Sequence, residues 1–114
     1  MQLNFSAGNT VQGSVFVSST ATTVTSSSTF TATGWHHVAF VRTGNILRLF
    51  IDGTQEGGDV AFSGTVNDST NAFGVACLGE LTTLTWNGSL DEFRLSVGVA
   101  RWTANFTPPT SPYS

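Results

Sequence analysis

The sequence contains no lysine, and only 10% of its 114 residues are charged, against about 25% in an ordinary globular domain. A nucleic-acid-binding face requires clustered cations. The few cations of this chain are instead scattered along it, as Arg42, Arg48, Arg94 and Arg101. Because the net charge is also −3, we expect no nucleic-acid partner.

Long apolar runs are missing as well. No stretch approaches the roughly 18 apolar residues of a membrane-spanning helix, so we expect no membrane insertion. The N-terminal stretch MQLNFSAGNT has neither the basic start nor the apolar run of a signal peptide. An extracellular function would therefore require another export route or a longer parent chain.

Cysteine occurs once, as Cys77, which excludes a disulfide framework within the chain. Free cysteines are among the most buried residue types, so we expect a buried structural thiol.

The sequence is rich in hydroxyl and aromatic side chains, with 13 Ser, 18 Thr, nine Phe and three Trp. A chain that is 39% hydrophobic folds rather than staying disordered. Domains commonly contain about 100–200 residues, so we predict one domain over residues 1–114.

Strand patterns follow one another along the chain, and none has the period of a helix. Ser, Thr, Val and Phe favour pleated backbone. We predict strands over residues 2–5, 13–18, 21–27, 35–42, 46–51, 73–78 and 86–97. The fold class is therefore all-β, and the proline-rich end of the chain should fold back as an apolar clasp through Trp102 and Phe106.

Two turn signals flank the predicted strand at residues 46–51. Gly44–Asn45 can supply the positive φ angles of a tight hairpin, and Asp52–Gly53 is the strongest turn signal in the chain. Asp52–Gly53 should end one strand and begin another hairpin.

Both histidines of the chain are adjacent, at His36 and His37, which raises the question of a metal or catalytic site. Successive side chains of a strand point to opposite faces, so the two imidazoles should diverge. A zinc site also needs further ligands, and the chain has no third histidine and no second cysteine. We expect one packed and one surface histidine, no catalytic residue and no cofactor.

The carboxylates give a similar result. A retaining glycosidase needs two carboxyl groups about 5 Å apart, whereas Asp91 and Glu92 are adjacent and should point apart, with Glu92 free to pair with Arg94. Loop oxygens can bind calcium, and the loop candidates are Asp52, Asp59, Asn67, Asp68 and Glu80. No calcium-loop motif is present, so solvated loop acids remain the simpler interpretation.

Aromatic side chains can stack on sugar rings, and Trp86 or Trp102 could do so at a sheet face. Core packing is the more frequent role of tryptophan in so small a domain. The sequence does not identify the ligand-binding residues.

Two segments carry a resemblance to a known family. GWHHVAFVRTGNILRLFIDGTQ, with its W-x-H-V-A and D-G landmarks, resembles the central hairpin of laminin G-like, concanavalin A-like domains. NGSLDEFRLSVGVARWTANFTPP resembles the closing strand and tail of the same superfamily, in the form found in bacteriophage virion proteins and bacterial surface proteins. The resemblance covers residues 34–109.

The resemblance implies an antiparallel jelly-roll β-sandwich of the laminin G/concanavalin A type with an adhesive, non-catalytic role. A jelly roll usually has eight strands, and only six or seven can be placed here, so the sandwich should be shortened at its N-terminus. An open edge invites pairing, so we expect either a longer parent chain or neighbouring subunits that cover it.

Two functions remain. The first is a structural or adhesion subunit of a phage virion surface, a capsid decoration or tail appendage that binds copies of itself, capsid or tail proteins, or host glycans. The alternative is a secreted or cell-surface carbohydrate-binding domain, with calcium as its only candidate cofactor.

Overall fold

The computed structural model describes residues 1–31, 34–66 and 88–113. Its regular structure consists of β1 (Gln2–Phe5), β2 (Val11–Val17), β3 (Thr20–Thr25), β4 (Val38–Thr43), β5 (Ile46–Ile51) and β6 (Thr54–Ala61). The strands form two three-stranded antiparallel sheets, in the orders β1-β2-β3 and β4-β5-β6. The all-β prediction is confirmed. No helix long and apolar enough to cross a membrane occurs in the part of the chain that the structure describes.

The first sheet alternates between an apolar and a polar face. Val11, Val15 and Val24 point inward and are at most 1% exposed. The opposite face is held by hydroxyl groups: Ser14 Oγ and Thr23 Oγ1 lie 2.8 Å apart across the β2–β3 pair. Such alternation is typical of an antiparallel sheet with one face toward water. The strand that we predicted in the Ser/Thr-rich stretch is therefore confirmed as β3.

The β4–β5 hairpin closes through two residues, because Thr43 pairs directly with Ile46. Gly44 has a φ of 57°, and Asn45 is not in the positive-φ region. One positive φ at the first loop position is the pattern of a type II′ turn. The predicted turn is confirmed, but the expectation that Asn45 also takes a positive φ is wrong.

The β5–β6 hairpin follows at once. Ile51 pairs with Thr54, and both intervening residues have positive φ, 52° at Asp52 and 80° at Gly53. Two positive φ angles define a type I′ turn, which Asp-Gly favours. The predicted hairpin is confirmed.

The core lies between the two sheets. The first sheet contributes its inward valines, and the second contributes Leu47, Leu49 and Ile51, which are buried against them. Gly13 provides space for this packing, since a Cβ at residue 13 would overlap the ring of Phe40.

The Glu56 carboxylate connects the two sheets at one end. It accepts hydrogen bonds from the Ser27 and Ser28 N–H groups at 2.9 and 3.1 Å and from Ser28 Oγ at 3.0 Å. Next to it, Gly57 lies so close to the Thr25 carbonyl that no side chain fits there. The end of β3 is thereby fixed against β6.

The chain after residue 101 covers the outer face of the second sheet. The Trp102 and Phe106 rings are stacked with centroids 4.3 Å apart, and Phe106 meets Phe50 edge-on at 5.5 Å. The Phe106 N–H donates to the Gly53 carbonyl at 2.9 Å. As a result Phe50, although it points away from the inter-sheet core, is completely buried. The predicted apolar clasp is confirmed.

Two strand predictions need correction. The strand predicted over residues 86–97 is not formed over residues 88–97, where Glu92 takes a left-handed φ of 53° that an extended strand does not accommodate. The strand predicted from Trp35 begins at Val38, because the His37 N–H is bonded to the Asp52 side chain instead of a neighbouring strand. The strand predicted at residues 73–78, with Cys77, lies outside the described residues.

Candidate functional site

Asp52 connects the start of β4 to the end of β5. Its Oδ2 lies 2.8 Å from His36 Nδ1, and its Oδ1 accepts the His37 N–H at 2.9 Å. Its own N–H donates to the His37 carbonyl at 2.8 Å. Asp52 is therefore the predicted turn residue, and it also fixes the chain segment that carries both histidines.

The electrostatics of Asp52 follow from these contacts. Partial burial raises the pKa of Asp52, but the hydrogen bonds from His36 and from the His37 N–H outweigh it and hold the pKa below its usual 3.8. The carboxylate is ionised at neutral pH. Because the His36 and Asp52 side chains are 37% and 51% exposed, water screens the pair.

The two imidazoles diverge, as strand alternation predicted. His36 meets Phe30 edge-on at 5.5 Å, near the inter-sheet core. His37 instead faces the end of the chain, where its Nε2 lies 2.9 Å from the Tyr113 hydroxyl. The predicted division into one packed and one surface histidine holds, with His37 half-buried and His36 exposed.

His37 lies in an aromatic pocket. Trp102 and Phe106 approach its ring edge-on at 5.4 and 5.5 Å. Its Nδ1 is buried and has no hydrogen-bond partner in the part of the chain that the structure describes. Burial lowers the pKa of His37 below 6.5, although the nearby Asp52 carboxylate acts in the opposite direction. These contacts describe a structural histidine that is neutral at pH 7.

Four of the carboxylates considered for calcium binding and glycoside cleavage have local partners: Asp52, as described above, and Asp59, Asp91 and Glu92. Asp59 receives two hydrogen bonds of 2.7 Å from the Arg48 guanidinium, and Asp91 accepts the Glu92 N–H at 2.9 Å. Glu92 accepts the Tyr113 N–H at 2.8 Å. Residues 1–31, 34–66 and 88–113 contain no group of three or more His, Cys, Asp or Glu side chains that could hold a metal ion. The other calcium candidates, Asn67, Asp68 and Glu80, lie outside these ranges.

Trp35 stands out among the tryptophans, with 69% of its surface exposed. It borders a shallow, open depression that is lined by Gly34, Trp35 and Ser89. Trp102, which sequence analysis considered for sugar stacking, packs instead on Phe106, and Trp86 lies outside the described residues. The exposure of Trp35 was not predicted, because the W-x-H-V-A pattern assigned this residue to a strand that begins three residues later.

A second exposed feature is the segment formed by residues 88–99, here named the closing segment. Five large apolar side chains of this segment are 46–88% exposed, namely Leu90, Phe93, Leu95, Val97 and Val99. Four of them recur at every second residue. The period is that of a strand, although the segment itself is irregular.

Comparison with known proteins identifies the family. A laminin G family model of the concanavalin A-like lectin/glucanases superfamily matches residues 1–101. The match includes the first sheet, which the resemblance over residues 34–109 did not. No curated protein and no solved structure matches the chain. The superfamily consists generally of non-catalytic modules for carbohydrate binding or adhesion. The chain belongs to the concanavalin A-like lectin/glucanases superfamily.

Proposed function

We propose that this chain is a non-catalytic adhesion module of a bacteriophage virion surface, a capsid decoration or tail appendage subunit that assembles with copies of itself or with capsid or tail proteins. Superfamily membership supports the adhesive role. The setting is supported by the resemblance of ARWTANFTPP to virion and bacterial surface proteins. The observation that carries the proposal is the exposed apolar surface of the closing segment.

Exposed apolar surface of this kind is unusual in a monomer. Single exposed apolar side chains are common, but five of them within one segment of twelve residues are more than scattered exposure provides and are typical of an interaction site. Val97 is 88% exposed and Leu95 60% exposed, within the same short segment. Packing against a partner would remove this surface from water and would stabilise the assembly by about 25 cal/mol for each Å² buried.

The arrangement of the carboxylates within residues 34–66 and 88–113 supports a non-catalytic role. Glycoside cleavage needs one carboxyl group as acid and another as base or nucleophile on either side of the bond. Asp52 and Asp59 are paired with His36 and Arg48, and Glu92 is bonded to the Tyr113 backbone. The adhesive interpretation therefore has the stronger support.

Size-exclusion chromatography with light scattering over a dilution series tests the assembly. The chain should elute as an oligomer that dissociates on dilution, and Val97→Asp should shift it to the monomer because a buried interface does not accept an unpaired charge. Thr20→Asp, at an exposed position of β3, is the control and should leave the mass unchanged. A monomer throughout the series would exclude assembly with copies. Retention by purified capsid or tail proteins would then decide between the remaining partners.

The alternative is a secreted or cell-surface domain that binds carbohydrate by itself. The exposed Trp35 ring beside an open depression favours it, because aromatic faces stack on the apolar faces of sugars. A glycan array with and without a calcium chelator tests this function. Binding that persists with the chelator would exclude calcium as a cofactor. An array without signal would exclude carbohydrate binding as the function.

A further inference from the structure

We infer that the depression lined by Gly34, Trp35 and Ser89 is a subsite for an uncharged saccharide, with the Trp35 ring as its stacking platform. This inference rests on the carbohydrate-binding alternative above and specifies its site and ligand class. It follows from the exposure of Trp35, the open form of the depression and the engagement of all four arginines elsewhere.

Trp35 exposes an unusually large apolar surface to water. Core packing is the usual role of tryptophan in a small domain, yet 69% of this residue is exposed. The other tryptophan in the described residues, Trp102, is half-buried and stacked on Phe106. Trp35 therefore presents a rigid aromatic surface that the fold itself does not use fully.

The surroundings of the ring suit a flat ligand. Gly34 has a φ of 102°, and a Cβ at this position would meet no described residue within 4 Å, so the described surface beside the ring is open. Ser89 adds a hydroxyl group that can both donate and accept a hydrogen bond. A pyranose ring has one apolar face for the indole and a rim of hydroxyl groups for a side chain such as Ser89. Small molecules usually bind in pockets that enclose them. An open depression is better suited to one sugar unit of a longer glycan.

The charge distribution limits the ligand to uncharged sugars. Within residues 1–31, 34–66 and 88–113, no charged side chain lines the depression, and the sequence contains no lysine. The arginines have partners elsewhere: Arg42 donates to the Gly44 and Gly64 carbonyls, Arg48 is paired with Asp59, Arg94 covers the Tyr113 ring and Arg101 donates to Ser96 Oγ. A sialylated, sulfated or uronic glycan would find no cation in the depression to offset the desolvation of its charge.

A single stacking platform binds weakly, so the array should display its glycans at high density. We expect the native chain to bind uncharged polysaccharides such as glucans, galactans or mannans, and to ignore their sulfated or uronic counterparts. Trp35→Ala should reduce the signal at least tenfold, whereas Trp35→Phe should retain part of it because it keeps an aromatic face. Ser89→Phe should also abolish binding, by filling the depression from its other wall.

Phe5→Ala is the matched control, because it removes a second exposed aromatic ring, 44% exposed, from the other sheet. It should leave glycan binding unchanged. Circular dichroism should show native strand content in every variant, since Trp35 and Ser89 are both exposed.

The outcomes separate this inference from the function on which it rests. Binding to uncharged glycans that survives Trp35→Ala and Ser89→Phe would overturn the site while leaving carbohydrate binding intact. Binding confined to acidic glycans would overturn the ligand class. Absence of binding to every glycan would remove the carbohydrate-binding function, and the subsite with it.

Discussion

The two sheets have the same three-stranded meander but differ in chemistry and in cover. Residues 1–31, which form the first sheet, contain no ionisable side chain, whereas all arginines, histidines and acids of the chain follow residue 34. The first sheet buries one face, and its other face carries hydroxyl and amide groups together with the half-buried Phe16. The second sheet is covered twice, by the inter-sheet core and by Trp102 and Phe106.

This difference locates the polar interactions of the fold. A sheet with one face toward water is stabilised mainly by burial of the apolar side chains on its other face. The hydroxyl contacts on the wet face contribute modestly. A sheet with two covered faces depends on a distant part of the chain that reaches it, here through the Phe106 N–H and the Asn105 side chain. Substitutions should therefore have larger effects on the second sheet than at matched positions of the first.

Phe50 and Phe16 provide the largest contrast, because both point away from the inter-sheet core. Phe50 is fully buried under Phe106, and Phe16 is half-buried on the first sheet. Phe50→Ala should lower the free energy of unfolding by about 3–5 kcal/mol, as for other buried phenylalanines. Phe16→Ala should cost about 1 kcal/mol. Urea denaturation measures both, and equal losses would show that the two outer faces are covered alike.

Gly53 and Gly44 test the contact of the tail with the second sheet, and we expect the next largest effect there. Both have positive φ, 80° and 57°, so alanine is strained at either position by about 1–2 kcal/mol. A Cβ at Gly53 also collides with the Phe106 carbonyl, whereas one at Gly44 meets nothing within 4 Å. Gly53→Ala should therefore cost about 1–3 kcal/mol more than Gly44→Ala.

The same variants report on the tail directly. Gly53→Ala should speed proteolysis after residue 101, since the backbone bond from Phe106 to Gly53 is lost. Gly44→Ala should leave the cleavage rate unchanged. Equal stability losses and equal cleavage rates would mean that the tail does not hold the β5–β6 turn.

Much of this fold was predictable from the sequence because its signals are local. The Asp-Gly turn, the exact span of β5 and the strand in the Ser/Thr-rich stretch follow from turn chemistry and side-chain alternation. The closing segment shows where such signals fail. Its residues alternate as in a strand, but pairing depends on a partner strand, and the left-handed backbone at Glu92 is not visible in the pattern.

The candidate site was less predictable. Alternation separated His36 from His37 correctly, yet it gave no reason for Asp52 to bond to both. Trp35 was assigned to a strand face, and its exposure depends on the chain beginning β4 only at Val38. The tail partners of His37, up to Tyr113, are separated from it by up to 76 positions, and no local pattern predicts such contacts.

Gly57 and Gly58 test the junction between the sheets, with a smaller expected difference. Their φ angles are alike, 75° and 70°, but only at Gly57 would a Cβ collide with the Thr25 carbonyl. The overlap is slightly smaller than at Gly53, because the added Cβ would lie slightly farther from the Thr25 carbonyl oxygen than a Cβ at Gly53 would lie from that of Phe106. Gly57→Ala should cost about 1–2 kcal/mol more than Gly58→Ala in thermal unfolding. Identical melting temperatures for the two variants would show that the close approach of Gly57 to Thr25 does not hold the two sheets together.

The smallest effect concerns pH, and it should arise in the second sheet alone. Burial lowers the pKa of His37 below 6.5, so the unfolded chain binds more protons than the folded chain just below that pH. Stability is therefore complete above pH 6.5 and is lost as the pH falls through the folded-state pKa. Asp52, whose folded-state pKa lies below 3.8, adds a separate loss only at more acidic pH.

Replacement of His37 by Phe should remove the loss below pH 6.5, because it keeps the aromatic packing against Trp102 and Phe106 without a group that titrates there. Tyr113→Phe, which retains the imidazole but deletes its hydroxyl partner, should preserve a pH slope in the same window. Urea denaturation at pH 7.5, 6.5 and 5.5 distinguishes these cases. A slope that persists unchanged in His37→Phe would transfer the pH dependence to another group, either a side chain after residue 34 or the Met1 amino group, since residues 1–31 contain no side chain that titrates.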